Sequence, residues 1–304
     1  MVQGNSALPK VGVMAASAYA REVLFHSTPV PPEKSGVLVS ITREQAHWNT
    51  IRFCVRRLMA GQYRQDTTRG EEAALVILGG KAVVDWGQGA REIGGRKDVF
   101  SGYPCAAYLP CATPFEISAV TNCEFAECRA PSSARLGPRI ITPADCREEI
   151  RGGGNCTRQI VDVIRPEFSA DKLLICEVYT PSGNWSSYPP HKHDVHNPPQ
   201  EVDLDEIYYY RVSKQEGYAF QRLYDAAGTR DDTLTLTDGD LVLIKDGYHP
   251  VVAAHGYDVY YLNVLAGSAR SMAASDDPRY AHLRKTAAAL EHDPRVPLVR
   301  PSPS

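Results

Sequence analysis

The sequence predicts an all-β chain built as two barrels in tandem, followed by a short C-terminal helix. Three observations carry this. Short apolar segments rich in Val, Ile and Tyr recur from Ser35 to Gly267. Gly, Pro and Asp turn signals separate them, and few stretches show the 3.6-residue period of an amphipathic helix. A chain of 304 residues is long enough for two such units.

In order, the expected strands are Gly36 to Thr42, Ala73 to Gly79, Ala106 to Pro110, Leu173 to Tyr179, Glu206 to Val212, Tyr218 to Tyr224, Leu241 to Lys245 and Asp258 to Leu265. Gly79-Gly80, Gly94-Gly95, Pro181-Ser182-Gly183 and Asp238-Gly239-Asp240 supply turns. The best helical pattern runs from Pro278 to His292, with a weaker one from Thr142 to Arg151. Composition shifts between Ala130 and Gly154, which divides the chain into residues 1–150 and 151–304. Both halves repeat a rhythm of strand, Gly-rich turn and strand. The first half lacks a His-x-His, and Pro114-Phe115 falls where the second half has a later histidine, so the first barrel is expected to be metal-free.

The 33 basic and 36 acidic residues nearly balance, and no basic cluster interleaved with aromatics suggests nucleic-acid binding. No apolar run reaches the roughly 18 residues of a membrane span. Residues Met1 to Lys10 do not read as a signal peptide, so a cytoplasmic location is expected. The eight cysteines are scattered, without a Cys-x-x-Cys, and are expected to be free thiols of a reducing compartment.

The residues that carry chemistry lie in the second half. Pro189-Pro190-His191-Lys192-His193-Asp194 places two histidines at i and i+2, which share one face of a strand. Glu206 opens a later strand, where alternation puts Glu206, Tyr208 and Tyr210 on one side. His249 follows in Gly247-Tyr248-His249-Pro250. Three imidazoles and one carboxylate suit a divalent ion such as Zn, Mn, Fe, Ni or Co, and the absence of thiolates argues against a structural zinc site. Glu201 and Asp205 rival Glu206 as the carboxylate, and His196 is a loop-borne alternative fourth ligand.

This set resembles the cupin pattern, whose first motif carries His-x-His and an acid, and whose second carries Gly, His and a later Asn. Here these are Gly183, His191, His193 and Glu206, then Gly239, Gly247, His249 and Asn263. Two departures stand out. Asn197 and Pro198 occupy the usual place of the acid, displaced by a Pro-rich, acidic insertion from Asp194 to Asp205 that reads as a loop or lid. Lys245 replaces a proline.

A closer resemblance is to the 5-deoxy-glucuronate isomerase family of myo-inositol catabolism. It rests on Gly183 to Asp194, Glu206-Ile207-Tyr208-Tyr209-Tyr210-Arg211, Tyr218 to Arg222, Asp238-Gly239-Asp240, Gly247 to Val251, Gly256 to Val264 and Asp276-Asp277-Pro278. The resemblance implies a cytoplasmic bicupin that converts the aldehyde sugar acid 5-deoxy-D-glucuronate into the ketose 5-dehydro-2-deoxy-D-gluconate. Similarity to the 5-keto-4-deoxyuronate isomerases further implies zinc. A metal-dependent dioxygenase and a non-catalytic sugar-binding bicupin are the alternatives.

For that chemistry His191, His193, Glu206 and His249 are the expected metal ligands. Tyr208, Tyr210 and Tyr248 are the hydrogen-bonding catalytic candidates. The substrate carboxylate calls for arginine, with Arg222 the first choice and Arg158 the second. Lys192 should point away from the two histidines. Exposed sheet edges make a homo-oligomer an open option.

Overall fold

The computed structural model describes residues 17–301, and the all-β expectation holds. Among the described residues, the α-helices are the short Ala18–Val23, Arg43–Ala46 and His282–Ala288. Two large sheets dominate. A six-stranded sheet runs Arg139–Ile141, Ala106–Leu109, Glu71–Gly79, Cys123–Pro131, Arg52–Leu58, Gly36–Ile41. A seven-stranded sheet runs Leu24–Phe25, Leu241–Ile244, Leu204–Val212, Val259–Gly267, Leu174–Thr180, Arg158–Ile164, Arg147–Arg151. Each half adds a four-stranded sheet that closes its barrel. In the first half this is Tyr63–Thr67, Pro114–Ala119, Lys81–Asp85 and Arg91–Gly94; in the second, Trp185–Ser186, Val251–Ala253, Ala219–Tyr224 and Asp231–Leu236.

Strand periodicity explains why the central strands are apolar on both faces. Along Glu71–Gly79, Ala73, Leu75 and Ile77 fill the first barrel, while Ala74, Val76 and Leu78 join the core shared with the second half. Phe115 lies buried in the first barrel's interior, which is packed with Leu, Ile, Val, Ala and Phe. Between the halves, the rings of Phe53 and Tyr209 approach to 5.9 Å. A buried ion pair joins Arg96 Nη2 to Glu177 Oε1 at 2.6 Å, and the hydroxyls of Tyr179 and Tyr260 also donate to Glu177. Glu72 caps the backbone N–H groups of Asp171, Lys172 and Leu173 at 2.7, 2.6 and 2.6 Å. With its partners satisfied, such a buried charge fixes how the halves seat.

Two expected elements differ. Thr142 to Arg151 is not a helix: Thr142 and Asp145 form a turn, and Arg147–Arg151 is an edge strand paired with Arg158–Ile164. Its Arg and Glu residues favour helix locally, but backbone pairing to a sheet edge prevails. The C-terminal helix begins only at His282, because Asp277 organises the preceding residues into a turn, its carbonyl accepting from the N–H groups of Tyr280 and Ala281. The first described strand also crosses over: Leu24 and Phe25 pair with Val242 and Leu241 in the second half's sheet.

Candidate metal centre and substrate cavity

The candidate ligands arrive from three separate elements. His191 opens a two-residue strand paired with Ser275–Asp276, and His193 follows one turn of the pleat later. Glu206 lies on the long strand Leu204–Val212, opposite Ile244 and Leu265. His249 sits in the loop between Leu241–Ile244 and Val251–Ala253. Gly247 makes that loop possible: its φ is +74°, and a Cβ there would lie 2.5 Å from the Tyr224 carbonyl oxygen.

One ligand-capable atom from each of His193, Glu206 and His249 lies within 4.8 Å of the others. His193 Nε2 is 3.0 Å and His249 Nε2 3.4 Å from the same oxygen of Glu206. The His191 ring packs beside them, 4.9 Å from that of His249 and 6.4 Å from that of His193. In each imidazole Nδ1 faces a backbone carbonyl: Pro189 for His191 at 3.3 Å, Leu204 for His193 at 2.9 Å and Gly247 for His249 at 3.0 Å. An Nδ1–H donated to a carbonyl leaves Nε2 as the basic nitrogen, the tautomer a metal-binding histidine needs. His249 Nε2 is buried and has no hydrogen-bond partner.

The electrostatics agree. Burial, then the neighbouring His193, drives His191 down to about 3. Burial, then His191 and His193, holds His249 well below its usual range. Burial raises the Glu206 carboxyl, against hydrogen bonds from His193 and Tyr208. Burial also works to lower His193, but its contact with Glu206 outweighs this and the net shift is upward. Two imidazoles held neutral, His191 and His249, beside a costly buried carboxylate, with His249 Nε2 lacking a hydrogen-bond partner among the described residues, fit a bound cation.

A shell of polar contacts holds the two histidine segments in register. Lys192 turns away from the imidazoles and pairs with Asp194 and Glu201. Asp194 Oδ2 accepts the N–H of Gly247 at 2.9 Å, tying the His-x-His segment to the His249 loop. Glu201 is occupied by the backbone N–H groups of Asp194 and Val195, Asp205 by the Thr50 hydroxyl, and His196 by Ser268 on the surface. The rivals to Glu206 therefore have other partners.

The centre opens into a cavity of about 460 Å³, walled by His191, His193, Glu206, Arg158, Arg151, Arg284 and Asp276, with Pro199 and Gln200 of the insertion on its rim. Arg158 is 4% exposed, and among the described residues its side chain's one hydrogen bond is to the Cys156 carbonyl at 3.1 Å. Burial and the charge of Arg151 pull it down to about 10. Arg222 is not on this wall. It lies on Ala219–Tyr224, in a two-pronged pair with Asp231 and over the ring of Tyr224. The three tyrosines are also not on the wall. Tyr208 is nearest, with its ring 5.8 Å from His249 and its hydroxyl 2.8 Å from Ser187 Oγ. Tyr210 donates to Gln221 at 3.0 Å behind it, and Tyr248 packs on Tyr224 at 5.1 Å.

The model of the KduI/IolB family matches residues 26–283. The chain belongs to that family. Relatives named 5-deoxy-glucuronate isomerase include those of Geobacillus thermodenitrificans, 42% identical over 81% of this chain and 91% of that protein, and Bacillus subtilis strain 168, 36% identical over 79% and 90%. A crystal structure of an IolB-like protein from Salmonella typhimurium LT2 superposes with a TM-score of 0.82 at 34% identity, covering 86% of this chain and 98% of that one. An oxalate decarboxylase from Lactobacillus farciminis has a TM-score of 0.61 at 12% identity, which extends the likeness to the bicupin fold alone.

Within this KduI/IolB chain, Asp276, Arg151 and Arg284 are wall residues that sequence reasoning did not single out. Asp276-Asp277-Pro278 was legible as a block, but not its position across from His191. Asp277 next to it is structural. It accepts the Tyr224 hydroxyl and the Arg279 guanidinium, each at 2.7 Å, and Arg279 leads in drawing it from 3.8 down to about 2. A carboxyl lowered on folding stabilises above its unfolded value and loses that contribution as pH falls through the folded one. Asp277→Asn should therefore flatten the loss of stability between about pH 4 and pH 2, read from denaturation midpoints across that range. An unchanged slope would remove Asp277 from this role.

Proposed function

We propose that this chain is a 5-deoxy-glucuronate isomerase of inositol catabolism, an intramolecular aldose–ketose isomerase acting on 5-deoxy-D-glucuronate to give 5-dehydro-2-deoxy-D-gluconate. The observation that carries the reading is a buried His-Glu-His cluster that reaches one cavity through His193 and Glu206, together with a buried arginine on the same wall that has no ion-paired carboxylate among the described residues. Family membership and relatives of that name support it.

His193, Glu206 and His249 would hold a divalent ion, with His191 as the fourth ligand and zinc the ion that suits three nitrogens and a carboxylate. When bound, it supplies Lewis-acid stabilisation of negative charge developing on the two substrate oxygens. The chain's own residues do the rest. Arg158 receives the substrate carboxylate, a charge match that offsets its buried cation. Pro199 and Gln200 of the insertion, which Glu201 anchors to Asp194, line the entrance. Tyr208, linked through Ser187 to Tyr261, supports the Glu206 side of the centre, with Tyr210 stacked behind it. We place Tyr248 with the packing of the His249 loop rather than with the substrate. We divide the chain just ahead of the strand Arg147–Arg151, slightly before the expected residue 150, with the metal centre in the second part and an apolar-filled barrel in the first. A cytoplasmic enzyme, able to assemble with copies of itself, is consistent with the family reading.

The test is turnover of 5-deoxy-D-glucuronate in deuterated water, followed by NMR under nitrogen. The ketose should form without oxygen, with solvent deuterium entering the new hydroxymethyl carbon. No product from metal-loaded protein, or a strict need for oxygen, would sink the isomerase reading.

A further inference from the structure

Four groups on the cavity wall can accept a proton: His191, His193, Glu206 and Asp276. The first three belong to the candidate centre. Asp276 does not. It stands directly opposite His191 in the short antiparallel ladder, where facing residues project to the same side with Cβ atoms about 5 Å apart. Arg284 grips it through Nε, at 2.6 Å, and Nη2. A two-pronged guanidinium contact fixes the plane of a carboxylate while leaving lone pairs free.

We propose that Asp276 is the proton-transfer residue of this isomerase. The proposal rests on the isomerase reading above and adds to it the group that moves the proton. The step balances without any further reactant. The Asp276 carboxylate takes the proton from C2 of the open-chain aldehyde. The electrons of that C–H bond become the C1–C2 double bond, and the carbonyl electrons move onto O1. The same carboxyl then returns a proton to C1, C2–O becomes the ketone, and the hydroxyl proton of O2 ends on O1. One carboxyl beside adjacent carbons serves both transfers, as suits a base working on one face of an enediolate. Arg158, the histidines and Asp276 line the same cavity, and Asp276 stands beside His191, within reach of a sugar acid bound there.

The test uses zinc-loaded wild-type protein, Asp276→Asn, Asp276→Glu and His191→Gln, each given 5-deoxy-D-glucuronate in deuterated water. For Asp276→Asn, turnover should fall on the order of 10³-fold, within the range of general acid–base catalysis. Exchange at C2 should vanish with it. Zinc content and the calorimetric Kd for the sugar acid should stay close to wild type, whereas His191→Gln should lose zinc. Asp276→Glu, which keeps the carboxyl, should recover part of both turnover and exchange. Asp276→Asn that exchanges or turns over within about ten-fold of wild type, or that loses zinc as His191→Gln does, overturns the assignment. Inactive wild-type protein would overturn the isomerase reading itself, a result distinct from an active variant.

Discussion

His249→Ala is expected to abolish metal retention and lower kcat/KM on the order of 10³-fold or more, while the barrels stay folded. The side chain is fully buried, with Nδ1 committed to the Gly247 carbonyl and Nε2 facing Glu206 without a hydrogen bond. Alanine removes the proposed ligand nitrogen and leaves Glu206 with one imidazole contact instead of two. The fold survives because the loop is held elsewhere, by Asp194 on the Gly247 N–H and by the backbone bridge between Tyr224 and Tyr248. A deleted buried ring leaves a cavity, but also removes a buried nitrogen without a partner, and the two effects oppose each other. Metal analysis, circular dichroism and turnover on one preparation decide it. Wild-type metal content with normal turnover would take His249 out of the centre.

The legibility of this centre in the sequence follows from which contacts are local. His191 and His193 are two residues apart, and Glu206, Tyr208 and Tyr210 alternate, so the period of a strand was enough to group each set. Joining the sets required the resemblance to a known pattern, because nothing local says that residue 249 returns to residue 206. Arg158 and Arg222 show the limit. Both lie on aromatic or apolar strands, and the sequence ranked Arg222 first. The difference is cross-strand: the strand of Arg222 pairs with Asp231–Leu236, which brings Asp231 within 2.6 Å, whereas Arg158 meets only a backbone carbonyl. Asp276 escaped for the same reason, since its place opposite His191 depends on pairing between segments far apart in the chain. The strand Arg147–Arg151, with its helix-favouring side chains, was likewise decided by a neighbour rather than by its own residues.

That difference between the two arginines makes Arg158→Met the sharpest test of the cavity. A buried guanidinium pulled down to about 10 by burial and by Arg151 costs the protein free energy, because among the described residues no carboxylate is hydrogen-bonded to it. Methionine fills similar volume without charge, so the variant should gain about 1–3 kcal/mol in stability, seen as a rise in Tm of a few degrees. The same change should cost recognition of the substrate carboxylate. Loss of one member of a buried charge pair is worth about 2–4 kcal/mol, roughly 30- to 1,000-fold in affinity, so KM should rise and the added Tm shift given by saturating sugar acid should disappear. Arg222→Met, at an exposed pair with Asp231, should leave KM near wild type, since such surface pairs contribute little. A stabilised but non-binding Arg158→Met would mark a site in which stability is given up to hold a cation ready for an anion. If Arg158→Met instead lost stability and kept its KM, the guanidinium would be part of the scaffold and the carboxylate would have to be received by Arg151 or Arg284.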